Sequence, residues 1–299
     1  MKPLTNIDNV TARFTGWMQN LGHQVINLLA RFGEYQLVQD IAYGHDVRQQ
    51  LDYYQTRADH AGLIQSLVLF IYGGAWEHGD KRSFRFVADS LCAMGCDVVV
   101  IDYRLYPQVR FPQMMSDVVA AGRWVAENTP AEQPVYVMGH SAGAHLGSLL
   151  CLNKTLLVQA GNLAERLQGF VGMAGPYDYF PYTEDTHWDL FGPKENYPLS
   201  RTINFVRADG PPLYLLHGED DTRVRRGHSK SLMEKTRAVG GVANREVYEN
   251  MGHVDIIVAF SVLHRRNSPV MRDIARFIFE PARGSSQPED DELQVNTNH

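Results

Sequence analysis

Short apolar runs alternate with longer amphipathic stretches along most of this chain. The short runs are rich in Val, Leu and Ile, as strands buried on both faces are, and they predict strands at 37–43, 51–56, 66–72, 97–103, 134–139, 169–174, 212–218 and 244–250. Between them, apolar residues recur at helical spacing and predict helices at 83–95, 111–128, 141–153 and 229–240. This alternation predicts an α/β fold: a mostly parallel, doubly wound sheet of eight strands, helices on both faces, and a ligand crevice at the carboxyl ends of the strands.

The pattern divides the chain into three segments. Residues 37–282 form the predicted main domain, with a small cap segment at about 175–205, and the polar, acidic residues 283–299 are predicted to be a disordered tail. Residues 1–36 form an amphipathic helical segment. We expect this helix to pack on the body of the protein; covering a substrate cleft is the alternative, and a membrane surface ranks last because the polar face lacks Lys and Arg. Its apolar positions are Phe14, Trp17, Met18, Leu21, Val25, Leu28, Leu29 and Phe32.

Charge and composition narrow the class of partner. The 28 Lys and Arg residues against 34 Asp and Glu give a formal charge of −6, and no basic cluster stands out, so no nucleic-acid partner is expected. No apolar run reaches the roughly 18 residues of a membrane span. The first residues lack the apolar core and cleavage site of a signal peptide, so we expect a cytoplasmic protein, as a monomer or homodimer.

Two further patterns bear on cofactors. The three cysteines, Cys92, Cys96 and Cys151, have no metal-ligand spacing and sit among apolar neighbours, as small buried hydrophobes in a reduced compartment do. No metal-ligand cluster and no dinucleotide- or phosphate-binding glycine pattern occurs. We therefore expect no metal and no cofactor.

The stretch VYVMGHSAGAHLGSLL at 135–150 places a serine between a predicted strand and a predicted helix. The pattern Gly139-x-Ser141-x-Gly143 alone arises by chance roughly once in ten chains of this length. Its context is more specific, because a sharp strand-to-helix turn needs glycine on both sides, where a Cβ would strike the neighbouring strand or helix. The helix N-terminus also favours negative charge. Ser141 is therefore a candidate nucleophile.

Three motifs together carry a family resemblance. GHSAG at 139–143, YGGAW at 72–76 and DYRLYP at 102–107 resemble the α/β-hydrolase superfamily. Within it, residues 37–280 are similar to bacterial carboxylesterases related to hormone-sensitive lipases and feruloyl-esterase-like enzymes. The resemblance implies the α/β-hydrolase fold, a Ser–His–acid triad and an acyl-enzyme mechanism.

The resemblance also implies the acid and the base. The family's His-Gly-x-x-Asp pattern falls on Asp221, with Glu219 and Asp220 as competitors that only this spacing sets aside. Of twelve histidines, only His253 lies in a short loop after a terminal strand, and it completes the chain order Ser, Asp, His.

Three further histidines are given other roles. We expect His140 to point away from the serine turn, and His145, one turn into the helix, to be a packing residue. His217, at a strand end, is expected to be structural.

The oxyanion hole is expected in the segment after the third strand. Family members carry His-Gly-Gly-Gly and an aromatic residue there, whereas this chain has Tyr72-Gly73-Gly74-Ala75-Trp76. The predicted donors are the backbone N–H groups of Gly73, Gly74 and Ala142, and they do not depend on side chains. The tyrosine in place of histidine leaves the role of that side chain open.

Residues 175–198 are crowded with aromatic side chains and follow a strand end. A loop of this length in a compact domain is usually functional. One interpretation is an apolar acyl or aromatic pocket, and the alternative is a small aromatic core within the cap. The candidate pocket residues are Trp76, Tyr177, Trp188 and Phe191.

Other marked residues are interpreted as scaffold. We expect Asp102 to pair with Arg104 at the edge of the crevice. Asp117 is expected near Arg123 on the next helix.

Taken together, the motifs predict a serine carboxylesterase for small to medium, short-chain acyl or aryl esters. The expected partner is therefore a small-molecule ester. An arylformamidase or small amide hydrolase would use the same acyl-enzyme path. A non-catalytic, ligand-binding member of the fold is the remote alternative.

Overall fold

Eight strands form one sheet in the computed structural model, which describes residues 22, 24–57 and 65–280. The strands are β1 (Tyr35–Ala42), β2 (Gln50–Thr56), β3 (Leu67–Ile71), β4 (Asp97–Ile101), β5 (Val135–His140), β6 (Leu167–Met173), β7 (Leu213–Gly218) and β8 (Ala243–Tyr248). Their order in the sheet is β1-β2-β4-β3-β5-β6-β7-β8. β2 runs antiparallel to both of its neighbours, and the other pairings are parallel. The predicted fold class is confirmed, and the predicted strands match with shifts of only a few residues at their ends.

Nine α-helices lie between or after the strands in the described part of the chain after residue 29. They are α1 (Arg85–Met94), α2 (Phe111–Asn128), α3 (Ala142–Leu152), α4 (Lys154–Gln159), α5 (Leu163–Arg166), α6 (Asp185–Leu190), α7 (Gly227–Ala238), α8 (Asp255–Val258) and α9 (Pro269–Phe279). Short 3-10 turns lie at Ala30–Phe32, Lys81–Phe84, Lys194–Ser200 and Thr202–Phe205. Among the described residues, no helix is long and apolar enough to cross a bilayer.

The strand order reverses at β3, and this reversal places the site. From β3 the chain moves to β4 on one side and then returns past β3 to β5 on the other. Right-handed crossovers put α1 on one face of the sheet and α2 on the opposite face. A crevice opens at the carboxyl ends of strands where the order reverses, so the segments after β3 and β5 meet there.

The centre of the sheet supplies the core. Every residue of β3, β4 and β5 is buried, as expected for parallel strands covered by helices on both faces. The edge strand β1 is largely exposed. The rigid centre therefore lies directly under the serine turn and the segment after β3.

The described part of the N-terminal segment packs on the body of the protein, but through a different face from the predicted one. Residues 24–29 are helical, but Ile26 and Ala30 are the buried positions, while Phe32 of the predicted apolar face is 82% exposed. The Asn27 side chain accepts a hydrogen bond from Phe86 N (3.2 Å) at the start of α1. The helix face that carries Asn27 therefore lies against α1. The rest of the predicted helix lies outside the described residues, as does the predicted acidic tail.

Candidate active site

Ser141 sits in a sharp turn between β5 and α3. Its backbone has φ +53° and ψ −122°, a strained conformation for a residue other than glycine. A Cβ on Gly139 would come within 2.5 Å of Gly143 C, and one on Gly143 within 2.0 Å of Ile71 O. Because neither glycine can carry a side chain, the turn brings the serine backbone directly against β3 and exposes the hydroxyl at the crevice.

Two hydrogen bonds connect the serine to an imidazole and a carboxylate. His253 Nε2 lies 2.9 Å from Ser141 Oγ, and His253 Nδ1 lies 2.8 Å from Asp221 Oδ2. A carboxylate can only accept, so the Nδ1 proton faces Asp221 and leaves Nε2 free to accept from the serine hydroxyl. The structure therefore brings together the three residues predicted as nucleophile, base and acid.

The carboxylate of Asp221 is fully enclosed and held by several donors. Its Oδ1 accepts from the backbone N–H groups of Arg223 and Val224, both at 2.9 Å. Its Oδ2 lies 3.2 Å from His217 Nε2 in addition to the contact with His253. Burial alone would raise this pKa, but the hydrogen bonds from the two imidazoles and the Val224 N–H outweigh it and hold the pKa of Asp221 well below its ordinary value. The group is therefore a carboxylate at neutral pH.

The two competing acids of the same turn lie elsewhere. Glu219 is exposed and pairs with Arg226 at 3.0 Å, and Asp220 is exposed as well. Of the three carboxylates, only Asp221 contacts His253.

Close packing of two loops brings acid and base together. β7 and β8 are parallel neighbours, so the loops that follow them leave the sheet side by side. A Cβ on Gly218 would lie 2.2 Å from Met251 O, and Asp220 N donates to the same carbonyl at 2.9 Å. The glycine permits this approach, which places Asp221 beside the loop that carries His253.

His140 does not point away from the site, so that prediction is wrong. Its Nε2 donates to the carbonyl of His253 at 2.9 Å, and the two rings lie 4.9 Å apart. Burial is the main cause that lowers the pKa of His140 to about 3. His140 is therefore a neutral support for the loop that carries His253.

The other two histidines near the site have structural contacts, as predicted. His145 is buried, hydrogen-bonds Ser200 O at 2.5 Å and packs its ring 5.5 Å from that of Trp76; burial lowers the pKa of His145 to about 4. His217 Nε2 lies 2.9 Å from Val224 O. Its additional contact with Asp221 was not predicted.

The segment after β3 presents backbone donors next to the serine. A Cβ on Gly73 would lie 2.8 Å from Ser141 Cβ, and Gly74 has φ +149°. Within the described part of the chain, no acceptor takes a hydrogen bond from the backbone N–H of Gly73, Gly74 or Ala142. Unpaired N–H groups next to a nucleophile can receive a developing oxyanion, and the oxyanion role of these three positions stays a prediction.

The predicted Asp102–Arg104 pair is wrong. Arg104 forms a close ion pair with the fully buried Asp117, with Nη2 to Oδ1 at 2.6 Å, because α2 passes directly under this turn. Arg123, the expected neighbour of Asp117, instead donates to Gln159 O at 2.6 Å.

Asp102 takes part in a network that the sequence did not indicate. It accepts from the Tyr72 hydroxyl at 2.8 Å, and Tyr72 accepts from Arg48 Nη2 at 2.8 Å. Arg48 lies in the loop between β1 and β2, and no motif marks it. Only the fold brings it to the segment after β3.

The cap aromatics pack mainly on one another. Tyr182 stacks on Phe191 at 4.8 Å, and the Trp76 ring lies 5.1 Å from that of Phe191. Trp76, Tyr177 and Phe191 are at most 5% exposed, whereas Trp188 is 37% exposed. This packing favours the alternative of an aromatic core within the cap, and the pocket lining stays a prediction.

Metal-binding geometry is absent from the described chain. Over residues 22, 24–57 and 65–280, no group of three or more His, Cys, Asp or Glu side chains is arranged to hold a metal ion. The three cysteines are unpaired and buried, and burial raises the pKa of the Cys96 thiol to about 12. They act as packing residues, as predicted.

A model of the BD-FAE family matches residues 51–236. The chain belongs to the BD-FAE family. This membership confirms the resemblance to α/β-hydrolase esterases that the serine turn and the two other motifs predict.

Curated relatives carry esterase names. The isoprenylcysteine alpha-carbonyl methylesterase ICME of Arabidopsis thaliana is 24% identical over 249 residues, which cover 75% of this chain and 58% of that protein. Esterase LipC of Mycobacterium tuberculosis is 27% identical over 279 residues, which cover 83% of this chain and 66% of that protein. The chain thus spans less than two thirds of the length of these relatives.

Solved structures share the fold. A truncated carbohydrate esterase from gut microbiota superposes with a TM-score of 0.70 at 21% identity, covering 83% of this chain and 97% of that one. Esterase B from Lactobacillus rhamnosis superposes with a TM-score of 0.70 at 19% identity, covering 91% and 93%. At these identities the likeness concerns the fold, and it agrees with the family assignment.

Proposed function

We propose that this chain is a serine carboxylesterase that hydrolyses small to medium carboxylic esters with short acyl or aryl groups. The observation that carries the proposal is the hydrogen-bonded line from Ser141 Oγ through His253 to Asp221, at 2.9 and 2.8 Å. The esterase names of the relatives support the same reaction class. The catalytic unit in this proposal is the domain of residues 37–282.

In the proposed mechanism, Ser141 Oγ attacks the ester carbonyl carbon while His253 Nε2 takes the proton of the serine hydroxyl. The carbonyl oxygen becomes an oxyanion and accepts from the N–H groups of Gly73, Gly74 and Ala142. His253 then gives its proton to the departing alcohol, which leaves an acyl-enzyme on Ser141. Water, activated by the same imidazole, releases the acid.

Asp221 has two tasks in this scheme. Its contact with Nδ1 fixes the tautomer in which Nε2 is the acceptor, and its negative charge stabilises the imidazolium that forms during attack. The four hydrogen bonds to its carboxylate keep the charge in place. His140 supports the same loop from the other side through the His253 carbonyl.

The test is hydrolysis of p-nitrophenyl esters from acetate to decanoate by the wild type and by Ser141→Ala. We expect turnover of the short esters by the wild type and a loss of about 10⁴-fold or more in the variant, since triad members act as a unit. Ser148→Ala is the matched control, because Ser148 lies on α3, the helix that follows Ser141, and contacts His145 O and Thr202. It should keep activity, and equal activity of wild type and Ser141→Ala would refute the proposal.

A second assay separates the ester from the amide alternative. N-formyl arylamines test the alternative hypothesis of an arylformamidase, an enzyme that would use the same acyl-enzyme path. Turnover of formamides in preference to esters, abolished by Ser141→Ala, would change the substrate class and keep the mechanism. Failure of both substrate classes and of Ser141 labelling by a fluorophosphonate would favour the ligand-binding alternative.

A further inference from the structure

The loop that carries the predicted oxyanion donors is strained. Gly74 and Gly79 have φ of +149° and +108°, and Ala75 and Trp76 have φ of +52° and +62°. Alanine and tryptophan rarely adopt left-handed backbone, and such residues persist only where the surroundings over-determine their conformation. Hydrogen bonds within the loop, from Glu77 N and His78 N to Gly74 O, hold its turn. Contacts from outside the loop are needed in addition to fix its two ends.

Arg48 joins the two ends of this loop. Its Nη2 donates to the Tyr72 hydroxyl at 2.8 Å and to the carbonyl of Gly79 at 2.8 Å. Its Nε donates to Tyr103 O at 2.9 Å. One planar guanidinium thus contacts the residue before the loop, the residue that closes it and Tyr103, two residues beyond the end of β4.

The Tyr72 hydroxyl links this guanidinium to a carboxylate. Tyr72 donates to Asp102 Oδ1 at 2.8 Å, and the same oxygen accepts from Lys81 N at 2.7 Å. The ring is fully buried and stacks between Phe84, at 5.2 Å, and Tyr103, at 5.1 Å. Burial raises the pKa of Tyr72 far above its ordinary value, so the hydroxyl keeps its proton and is both donor and acceptor. We call Arg48, Tyr72, Gly79 and Asp102 the loop clasp.

We propose that Arg48, through the loop clasp, is a positioning residue for the oxyanion donors Gly73 and Gly74. This inference rests on the proposed esterase function. Arg48 acts through the Tyr72 hydroxyl and the Gly79 carbonyl. It gives the loop between β1 and β2, at the edge of the sheet, a role in the reaction. Without the guanidinium, the Tyr72 hydroxyl keeps its longer contact with Gly79 O at 3.3 Å and its bond to Asp102. The charged tie between the two ends is lost, and the donors shift away from the oxyanion.

The expected kinetic signature is specific to a misplaced oxyanion donor. Deleting such a donor outright costs about 10²–10³ in kcat, and a displaced donor should cost part of that, about tenfold. Because the donors act on the oxyanion more than on the bound ester, KM should stay within about twofold. An aryl trifluoromethyl ketone, whose serine adduct carries the oxyanion, should bind about tenfold more weakly.

Arg48→Met is the test variant and Arg207→Met its matched control. Arg207 also donates to several backbone carbonyls, of Cys151, Leu152 and Asp209, and its side chain is 20% exposed against 31% for Arg48. It lies at the carboxyl end of α3, which is about 16 Å from the serine turn along an 11-residue helix. Arg207→Met should lower thermal stability as much as Arg48→Met and leave kcat and ketone affinity unchanged.

Two further variants keep the inference falsifiable if Arg48→Met folds poorly. Tyr72→Phe removes one oxygen and should reproduce the loss in kcat and in ketone affinity. Arg48→Lys keeps the charge but lacks the planar fork, so it should recover only part of the activity.

The inference is overturned if Arg48→Met and Tyr72→Phe keep wild-type kcat and ketone affinity, or if their loss lies wholly in KM. That failure differs from failure of the proposed function, in which the wild type itself hydrolyses neither esters nor formamides.

Discussion

Two strained segments meet at the crevice, and they are held in different ways. The turn at Ser141 is fixed by backbone contact, because Gly139 and Gly143 press directly on neighbouring main chain. The loop at 73–79 also has main-chain contacts, with His78 N donating to Gly74 O at 2.9 Å and Tyr106 N to Trp76 O at 3.0 Å. Its two ends, however, are joined by the side chains of Arg48 and Tyr72. The first arrangement depends on residues next to one another in the sequence, and the second on residues separated by 24 and 31 positions.

This difference predicts how each segment responds to substitution. A segment held by backbone contact fails completely when a side chain intrudes, since main chain cannot move without displacing the sheet. A segment held by side chains shifts when one contact is lost and keeps the fold. The serine turn should therefore lose stability and activity together, and the oxyanion loop should lose activity first.

The largest effect is expected for Gly143→Ala. The new Cβ would lie 2.0 Å from Ile71 O and 2.4 Å from Tyr72 O, so the protein should lose more than about 3 kcal/mol of unfolding free energy, beyond the usual cost of overpacking. Denaturant unfolding and ester turnover measure both consequences. Gly227→Ala, where no atom lies within 4 Å, is the control and should be neutral or slightly stabilising. A stable and active Gly143→Ala variant would contradict the backbone-contact account.

The next largest effect is expected for Asp221→Asn, which keeps the shape of the acid and removes its charge. Turnover should fall by about 10⁴-fold, because the amide favours the wrong imidazole tautomer. The fold should survive, unlike that of Gly143→Ala, since side-chain hydrogen bonds rather than main-chain contact hold this position.

Asp221 also predicts a pH dependence of stability. Its folded pKa lies below the unfolded value, which is about 3.9, so the unfolded chain binds more protons in acid. The stabilisation is fully present above roughly pH 5 and is lost as the pH falls through the folded pKa. The stability gap between wild type and Asp221→Asn should therefore shrink in acid, and urea unfolding across pH measures it. A gap that widens in acid would contradict the assigned charge.

A smaller effect is expected for Gly79→Ala in the side-chain-held loop. Its Cβ would lie 2.7 Å from the Tyr72 ring at a φ of +108°, so the clasp should shift and kcat should fall about tenfold, less than for a deleted oxyanion donor. Gly161→Ala is the control. It introduces the same backbone strain, because Gly161 has φ +71°, but no steric contact, because no atom would lie within 4 Å of the new Cβ. That control should cost about 1 kcal/mol of stability and leave kcat unchanged. If the two variants had the same kcat, the contact with the Tyr72 ring would have no role in placing the oxyanion donors.

The smallest effect is expected for Trp188→Ala in the cap. Trp188 is 37% exposed, whereas Phe191 is 1% exposed, so truncating Trp188 should cost less than the roughly 3–5 kcal/mol typical of a buried aromatic ring. Phe191→Ala is the comparison and should reach that range. The acyl-length profile of both variants tests the pocket: an unchanged profile would leave the cap with a packing role only.

The sequence by itself determined the sheet and the serine turn. Strand and helix positions follow from hydrophobic periodicity, and Gly139, Ser141 and Gly143 lie together in one pentapeptide whose steric demands are local. The order of Ser141, Asp221 and His253 along the chain could also be read directly, with the family resemblance selecting Asp221 among three adjacent acids. These features depend on near neighbours or on strand order.

The tertiary structure decided the contacts that support the site. Arg104 pairs with Asp117 rather than with Asp102, and His140 reaches the carbonyl of His253 across 113 positions. Arg48 arrives at the oxyanion loop from the far edge of the sheet. No periodicity or motif reports such contacts, because each depends on where two separate loops leave the sheet and on the length of one side chain.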